Sequence, residues 1–249
     1  MKALITGAST GIGRDMARNL HSRGIELILV ARSGDRLEEL KNELDGKPRT
    51  LSLDLSVPEN CFKLYEAIKT ENIDILINNA GFGAYGLSSE VELATELNMI
   101  DLNIKSLHIL TKLFLEDFES RNSGYILNVA SIAAFLSGPL MSTYYATKAY
   151  VLKLSTAIHE ELRRKGKNVH ISVLCPGPVD TEFNNRAGVR FIINGQTSKF
   201  VADYAIKKMF RKKLLILPGF IVKMGVFIQR LVPTKLLLKI GYRLQSCKK

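Results

Sequence analysis

Tryptophan is absent from this 249-residue chain, and cysteine occurs three times. Cys61, Cys175 and Cys247 are odd in number and far apart, and they form no C-x-x-C pair. That argues against a disulfide framework and suits a reducing cytoplasm. The four histidines (His21, His108, His159 and His170) show no metal-ligand spacing, so no metal is expected. No apolar run reaches the ~18 residues that a spanning helix needs. Met1-Lys2 runs straight into Ala3-Leu4-Ile5, which reads as a strand and not as a leader peptide, so a cytoplasmic protein is expected. Acid is missing from one region. Residues 204–249 carry 12 Lys+Arg and no Asp or Glu, while residues 1–203 carry 23 Lys+Arg against 24 Asp+Glu. The net charge of +11 therefore belongs to the tail. With few aromatics and no recognised binding motif there, nucleic acid is not the expected partner.

The remainder is ordinary globular composition, at 46% hydrophobic and 24% charged, enough to bury a core without staples. Short apolar strands are expected at residues 2–6, 25–31, 49–53, 73–77, 125–129 and 170–174. A last strand is expected at 214–217. Helical patterns of about a dozen residues separate them, with 90–119 helical in two pieces and a long helix running to about Lys165. This alternation predicts an α/β fold, a doubly wound parallel sheet of about seven strands. No internal repeat or linker divides it. One domain is expected over 1–217, with a basic helical extension over 218–249 on the same domain.

Ligands of such sheets bind beyond the carboxyl ends of the strands, and the polar motifs fall there. Thr6-Gly7-Ala8-Ser9-Thr10-Gly11-Ile12-Gly13 lies between the first strand and a helix. Glycines there let backbone approach a pyrophosphate, and the helix N-terminus supplies free N–H groups and partial positive charge. Arg32 follows the second strand, 19 residues past Gly13, where dinucleotide folds usually place an acid for the ribose 2′-hydroxyl. A guanidinium there can bond a 2′-phosphate. Arg14 adds a second positive charge, and the two predict NADP(H) over NAD(H). Asp54-Leu55, Asn78-Asn79-Ala80-Gly81, Ala130-Ser131 and Pro176-Gly177-Pro178-Val179-Asp180-Thr181 close other strands. Tyr144 and Lys148 share one face of the long helix, roughly 5–6 Å apart at Cβ. A nearby ammonium lowers a tyrosine pKa from its ordinary ~10, so the pair is a candidate acid/base for a carbonyl–alcohol conversion. On these residues alone, an amphipathic helix with a chance Tyr-x-x-x-Lys remains the alternative.

Taken together, TGASTGIG, NNAG, Asn103, Ser131, YYATK and PGPVDT resemble the short-chain dehydrogenase/reductase family across at least residues 2–181. Ser131 stands 13 residues before Tyr144, the spacing usual in that family. The resemblance implies an NADP-dependent oxidoreductase. Tyr144 would protonate the carbonyl oxygen, Ser131 would hydrogen-bond the same oxygen, Lys148 would lower the Tyr144 pKa and hold the nicotinamide ribose, and Asn103 would anchor a water relay. The cofactor set it implies is Gly7, Ser9, Thr10, Gly11, Ile12, Gly13, Arg14, Arg32, Asp54, Leu55, Asn79, Ala80, Gly81, Tyr144, Lys148, Pro176, Gly177, Val179 and Thr181. Homodimers or homotetramers are common among such proteins. A cofactor-sensing or scaffold protein that has lost the chemistry is the alternative of another class.

The tail is where such proteins choose substrate, with 183–213 expected to form a lid and a helix. Phe220, Met224, Phe227, Ile228 and Leu231 fall on one helical face. After Pro233, Lys235, Lys239 and Arg243 line another face, beside Leu236, Leu237, Ile240 and Leu244. Such helices either cover the core or a subunit interface, or rest on anionic lipid as peripheral elements of 220–249. An apolar ketone or 3-oxoacyl group is the expected small-molecule substrate.

Overall fold

The computed structural model describes residues 1–183, 188 and 195–246, with Ile221 and Arg230 described by their backbone alone. Cys247 and most of the expected lid after Phe183 lie outside these residues. Seven strands build the main sheet: β1 (Lys2–Thr6), β2 (Glu26–Ala31), β3 (Arg49–Ser52), β4 (Ile75–Asn78), β5 (Gly124–Val129), β6 (Val169–Leu174) and, later in the chain, β9 (Leu215–Ile216). Their spatial order is β3-β2-β1-β4-β5-β6-β9, and every neighbouring pair is parallel. The expected doubly wound sheet is therefore the fold. The strands read as nearly continuous apolar runs because both faces are covered.

Side chains alternate between the two faces. From β1, Ala3 and Ile5 pack with Met16 and Leu20 of α1 (Gly11–His21), Leu40 of α2 (Gly34–Glu43) and Ile206 of α7 (Ser198–Phe210). Leu4 points the other way, into a core with Leu64 of α3 (Pro58–Ile68), Phe114 of α5 (Leu107–Arg121) and Ile158 of α6 (Ser142–Arg164). A polar ladder crosses this second layer. Asn78 Nδ2 donates to Thr111 Oγ1 at 3.0 Å and to Asn128 Oδ1 at 2.9 Å, and Asn128 Nδ2 donates to Ser155 Oγ at 3.1 Å. Buried amides need such partners, and the ladder fixes α5 and α6 against β4 and β5.

The expected helix at 90–119 is α4 (Leu93–Ile100) and α5, joined by a wider π turn over Asp101–Ser106. The two pieces were legible in the pattern, but the π turn was not. Two features were missed: a short ladder of β7 (Val179–Asp180) with β8 (Gln196–Thr197), and a 3₁₀ turn at Ile132–Phe135. Val179–Asp180 and Gln196–Thr197 are two residues each with no apolar run through them, too little pattern to read. The tail forms α8 (Phe220–Ile228), a 3₁₀ turn at Gln229–Leu231, and α9 (Thr234–Ser246).

Candidate active site

The glycine turn is shaped from both sides. Gly7 has φ +64°, a left-handed conformation glycine adopts without strain, and a Cβ there would lie 2.8 Å from Ala80 Cα. A Cβ on Gly13 would lie 2.3 Å from Gly7 O and 2.4 Å from Asn79 Nδ2. The occupant of that space is the Asn79 amide, which donates to Thr6 O at 3.1 Å and Gly7 O at 3.0 Å. Thr6 Oγ1 in turn accepts from the backbone N–H of Asn79 and Ala80 at 3.0 and 3.1 Å. The β4 end thus buttresses the β1 turn. Helix α1 begins there with no acidic residue in its first turn. Acids are usually favoured at that position by the helix dipole, so the helix start is left free to meet an anion.

A cavity of about 840 Å³ runs from this turn to the start of α6. Gly7, Ser9, Thr10, Gly11 and Ile12 form one end with Arg32, Asp54, Leu55, Asn79 and Ala80. Gly81, Ser131, Tyr144, Lys148, Pro176, Gly177, Val179 and Thr181 continue the wall. Three expected residues stand behind that wall. Gly13 packs under the turn, Asn103 lies behind Gly81, and Arg14 is engaged elsewhere, its Nη2 3.1 Å from Glu43 Oε2 of α2. Arg14 therefore does not bring a free charge to the cavity as the sequence reading expected. Arg32 does face it, half-exposed, with Nη1 3.7 Å from Asp54 Oδ2. Arg36 and Ser33, which the sequence reading missed, also line it, with Arg36 Nη1 paired at 2.5 Å to Glu182 Oε2. Their signal was present, since Arg36 falls one helical turn after Arg32 at the start of α2.

Ser131 lies two residues past β5 in extended backbone and caps the 3₁₀ turn, its Oγ accepting from Ala133 N at 3.1 Å. Tyr144 and Lys148 lie one turn apart on α6, both buried. Lys148 Nζ donates to Val129 O at 3.0 Å and sits 5.8 Å from the Tyr144 ring centroid. Gly81 lets this helix come close, since a Cβ there would lie 3.3 Å from Lys148 Nζ and 2.9 Å from Asn103 Oδ1. Asn103 sits in the π turn. Its Nδ2 donates to Phe82 O at 2.8 Å and to Thr147 Oγ1 at 3.1 Å, while its Oδ1 accepts from Phe82 N at 3.0 Å.

The electrostatics of the pair differ from expectation. Burial pushes the Tyr144 phenol above its ordinary range, with a Ser131 hydrogen bond pulling the other way. Burial pushes Lys148 down to about 8. In the protein alone desolvation dominates both shifts, because a low-dielectric site disfavours the charged form of each group. Both perturbed groups share one cavity, a common mark of a functional site.

Around Tyr144 the wall is apolar. The Phe183 ring lies 5.4 Å from its ring, and Tyr145 lies 6.0 Å away edge-on. Met141 also lines the cavity, as do Gly241, Leu244 and Gln245 of α9. Gln245 is only 4% exposed. Its Nε2 donates to Tyr145 Oη at 2.5 Å, and its backbone oxygen accepts from Tyr85 Oη at 3.1 Å. Its Oε1 is buried with no hydrogen-bond partner among the described residues. No local pattern announces Gln245, because its role depends on how the tail docks.

A family model described as short chain dehydrogenase matches residues 1–189. The chain is 34% identical over 172 residues to the very-long-chain 3-oxoacyl-CoA reductase of Rattus norvegicus, covering 66% of this chain and 55% of the relative. It is 37% identical over 210 residues to 17-beta-hydroxysteroid dehydrogenase type 3 of Homo sapiens, covering 81% of this chain and 66% of the relative. The chain thus spans little more than half the length of the first of these and just under two thirds of the second. A short-chain dehydrogenase from Sphingobium yanoikuyae in complex with NADPH superposes with a TM-score of 0.83 at 30% identity, covering 92% of each chain. With its seven-stranded parallel sheet and this match across residues 1–189, the chain belongs to the short-chain dehydrogenase/reductase family of oxidoreductases.

Proposed function

We propose that this protein reduces an apolar carbonyl compound with NADPH, or oxidises the corresponding secondary alcohol with NADP. One observation carries the reading: Ser131, Tyr144 and Lys148 wall the same cavity as the glycine turn and Arg32. The residues fit a dinucleotide, since Gly7, Gly11 and Gly13 carry no side chain in the turn where backbone must approach a phosphate and the start of α1 carries no competing acid. Gly7 to Ile12 would hold the pyrophosphate and Asp54-Leu55 the adenine. Asn79 to Gly81 would pack on the adenine ribose, Lys148 would hold the nicotinamide ribose, and Pro176 to Thr181 would meet the carboxamide. Arg32 would bond a 2′-phosphate, which carries the preference for NADP(H).

The cofactor supplies or accepts the hydride; the chain supplies orientation and the proton. Ser131 Oγ and Tyr144 Oη converge on the carbonyl oxygen. Tyr144 enters neutral, because burial holds its proton on, and it can give that proton as negative charge develops on the oxygen. Lys148 then faces the phenolate, and its ammonium stabilises it. Asn103, linked to Thr147 and Phe82 behind Gly81, would anchor the relay that returns the proton.

Met141, Tyr145, Phe183 and Leu244 around Tyr144 suit a lipid-like ketone or a 3-oxoacyl chain. The reading includes homodimer or homotetramer assembly and peripheral membrane contact through 220–249. Tyr144→Phe tests the core of it. NADPH oxidation with a series of ketones, aldehydes and acyl thioesters should fall by at least about 10²-fold, the scale of general acid catalysis. NADPH binding, read by fluorescence, should be unchanged. Retained turnover would refute the assignment.

A further inference from the structure

Ten of the nineteen exposed large apolar side chains among the described residues fall between Phe220 and Leu244. Helix α8 turns Val226 inward, and Val222 lies close to Gly177. Its opposite side leaves Phe220 74% and Phe227 65% exposed, followed by Leu231 at 73%. Helix α9 carries two parallel exposed stripes at four-residue intervals: Lys235, Lys239 and Arg243, and beside them Leu236, Ile240 and Leu244. The stripes are one residue apart, about 100° around the helix. Pro139, Leu238, Lys239, Tyr242 and Arg243 also line a surface cleft that mixes apolar and cationic groups.

An apolar surface this concentrated marks an interaction site, and its charge decides the occupant. A second copy would meet it in a two-fold contact that sets each patch against itself. That places cation against cation, since residues 204–249 hold 12 basic residues and no acid. An anionic lipid surface satisfies both stripes. Phe and Leu enter the acyl boundary, and lysine stems extend along it with their ammonium groups at the phosphates. No helix among the described residues is long and apolar enough to cross a membrane, so α8 and α9 would lie in the interface plane. The same α9 walls the cavity that holds Tyr144, and Leu244 both lines that cavity and is 60% exposed.

We propose that α8 and α9 dock this protein on an anionic membrane surface, and that the cavity receives its apolar substrate from that surface. The docking stands on the exposed stripes alone. The delivery rests on the reductase reading.

The test uses the full chain and three forms: wild type, Lys235→Gln/Lys239→Gln, and Phe220→Ser/Phe227→Ser/Leu231→Ser. None of the altered residues lines the cavity. Each is sedimented with phosphatidylcholine vesicles, with and without phosphatidylserine, at low and high salt. Wild type should bind the phosphatidylserine vesicles. The double lysine variant should bind them about 25-fold more weakly, about fivefold per charge, and the triple apolar variant should lose binding. NADPH oxidation with a water-soluble ketone should be equal in all three forms. With a lipophilic ketone dissolved in the vesicles, wild type should turn over faster than either variant. Wild type that ignores both vesicle types, or binds both equally, overturns the docking. So does a wild-type dimer in light scattering that the triple variant abolishes, because it would show a second copy on this face. Equal turnover of the vesicle-borne ketone by all three forms overturns the delivery. Binding to phosphatidylserine vesicles with no oxidation of any ketone would refute the reductase reading and leave the docking intact.

Discussion

Lys148→Met separates what the site needs from what the fold prefers. Lys148 is 5% exposed, and burial moves its ammonium from 10.5 to about 8. That displacement is worth about 3 kcal/mol. The sign follows from proton binding. Between pH 8 and 10.5 the unfolded chain holds this proton more firmly than the folded one, so stability rises with pH through that window. Below it, the full cost is present. Methionine keeps similar length without the charge, and gives up the bond to Val129 O, worth about 1 kcal/mol. At neutral pH the variant should therefore be the more stable by about 2 kcal/mol, and above pH 10.5 the less stable by about 1 kcal/mol. The neighbouring Cys175 thiol, pushed up to about 12 by burial, and the raised Tyr144 phenol stay protonated across the window. Urea unfolding followed by circular dichroism, on the protein without cofactor, measures the difference at each pH. The variant should be inactive throughout. A stability difference that stays flat with pH would refute the account of Lys148.

Arg32→Asp should weaken NADPH by about 10- to 100-fold, the range of a lost charge-assisted hydrogen bond, and leave NADH nearly unchanged; equal weakening in a fluorescence titration would remove the 2′-phosphate role. Gln245→Leu deletes the amide that holds Tyr145 and faces the cavity, so KM for bulky apolar ketones should rise about tenfold, or about 1.4 kcal/mol, with NADPH affinity unaltered. An unchanged KM would mean that α9 has no part in substrate choice. Asn103→Ala removes three hydrogen bonds of 2.8–3.1 Å from a buried site, which should cost about 3 kcal/mol at about 1 kcal/mol each. Thermal unfolding at an unchanged temperature would show that Asn103 does not hold this wall in place.

The parts of the molecule legible in sequence were those where one local pattern has one structural meaning. Short apolar runs between helices announced β1 to β6, and each polar motif at a run's end reached the rim of the sheet. Tyr144 and Lys148 were readable because four residues make one helical turn. Arg14 misled, because charge in sequence does not say which carboxylate will capture it, and Glu43 lies a helix and a strand away. The pKa directions were illegible for a related reason. Proximity suggested that the ammonium would dominate, but burial depends on everything packed around α6. Gln245 was hidden most deeply, a hundred residues from the tyrosine it holds.

The π turn at Asp101–Ser106 has a consequence for the phase of its helix. Met99, Leu102 and Asn103 are buried before or within it, and Leu107, Leu110, Thr111, Phe114, Leu115 and Phe118 after it. On an unbroken α-helix at about 100° per residue, the second group would centre roughly 100° around from the first. One extra residue in the wide turn takes up that angle, so both groups face the core and Asn103 faces Phe82. Deleting a single residue from this turn would make the helix regular and keep α5 in phase with α4, because the surplus angle leaves with the residue, whereas inserting a second one would rotate α5 by about 100°. The wide turn holds one residue more than the packing of α4 and α5 requires, so the segment should tolerate losing that residue far better than gaining another.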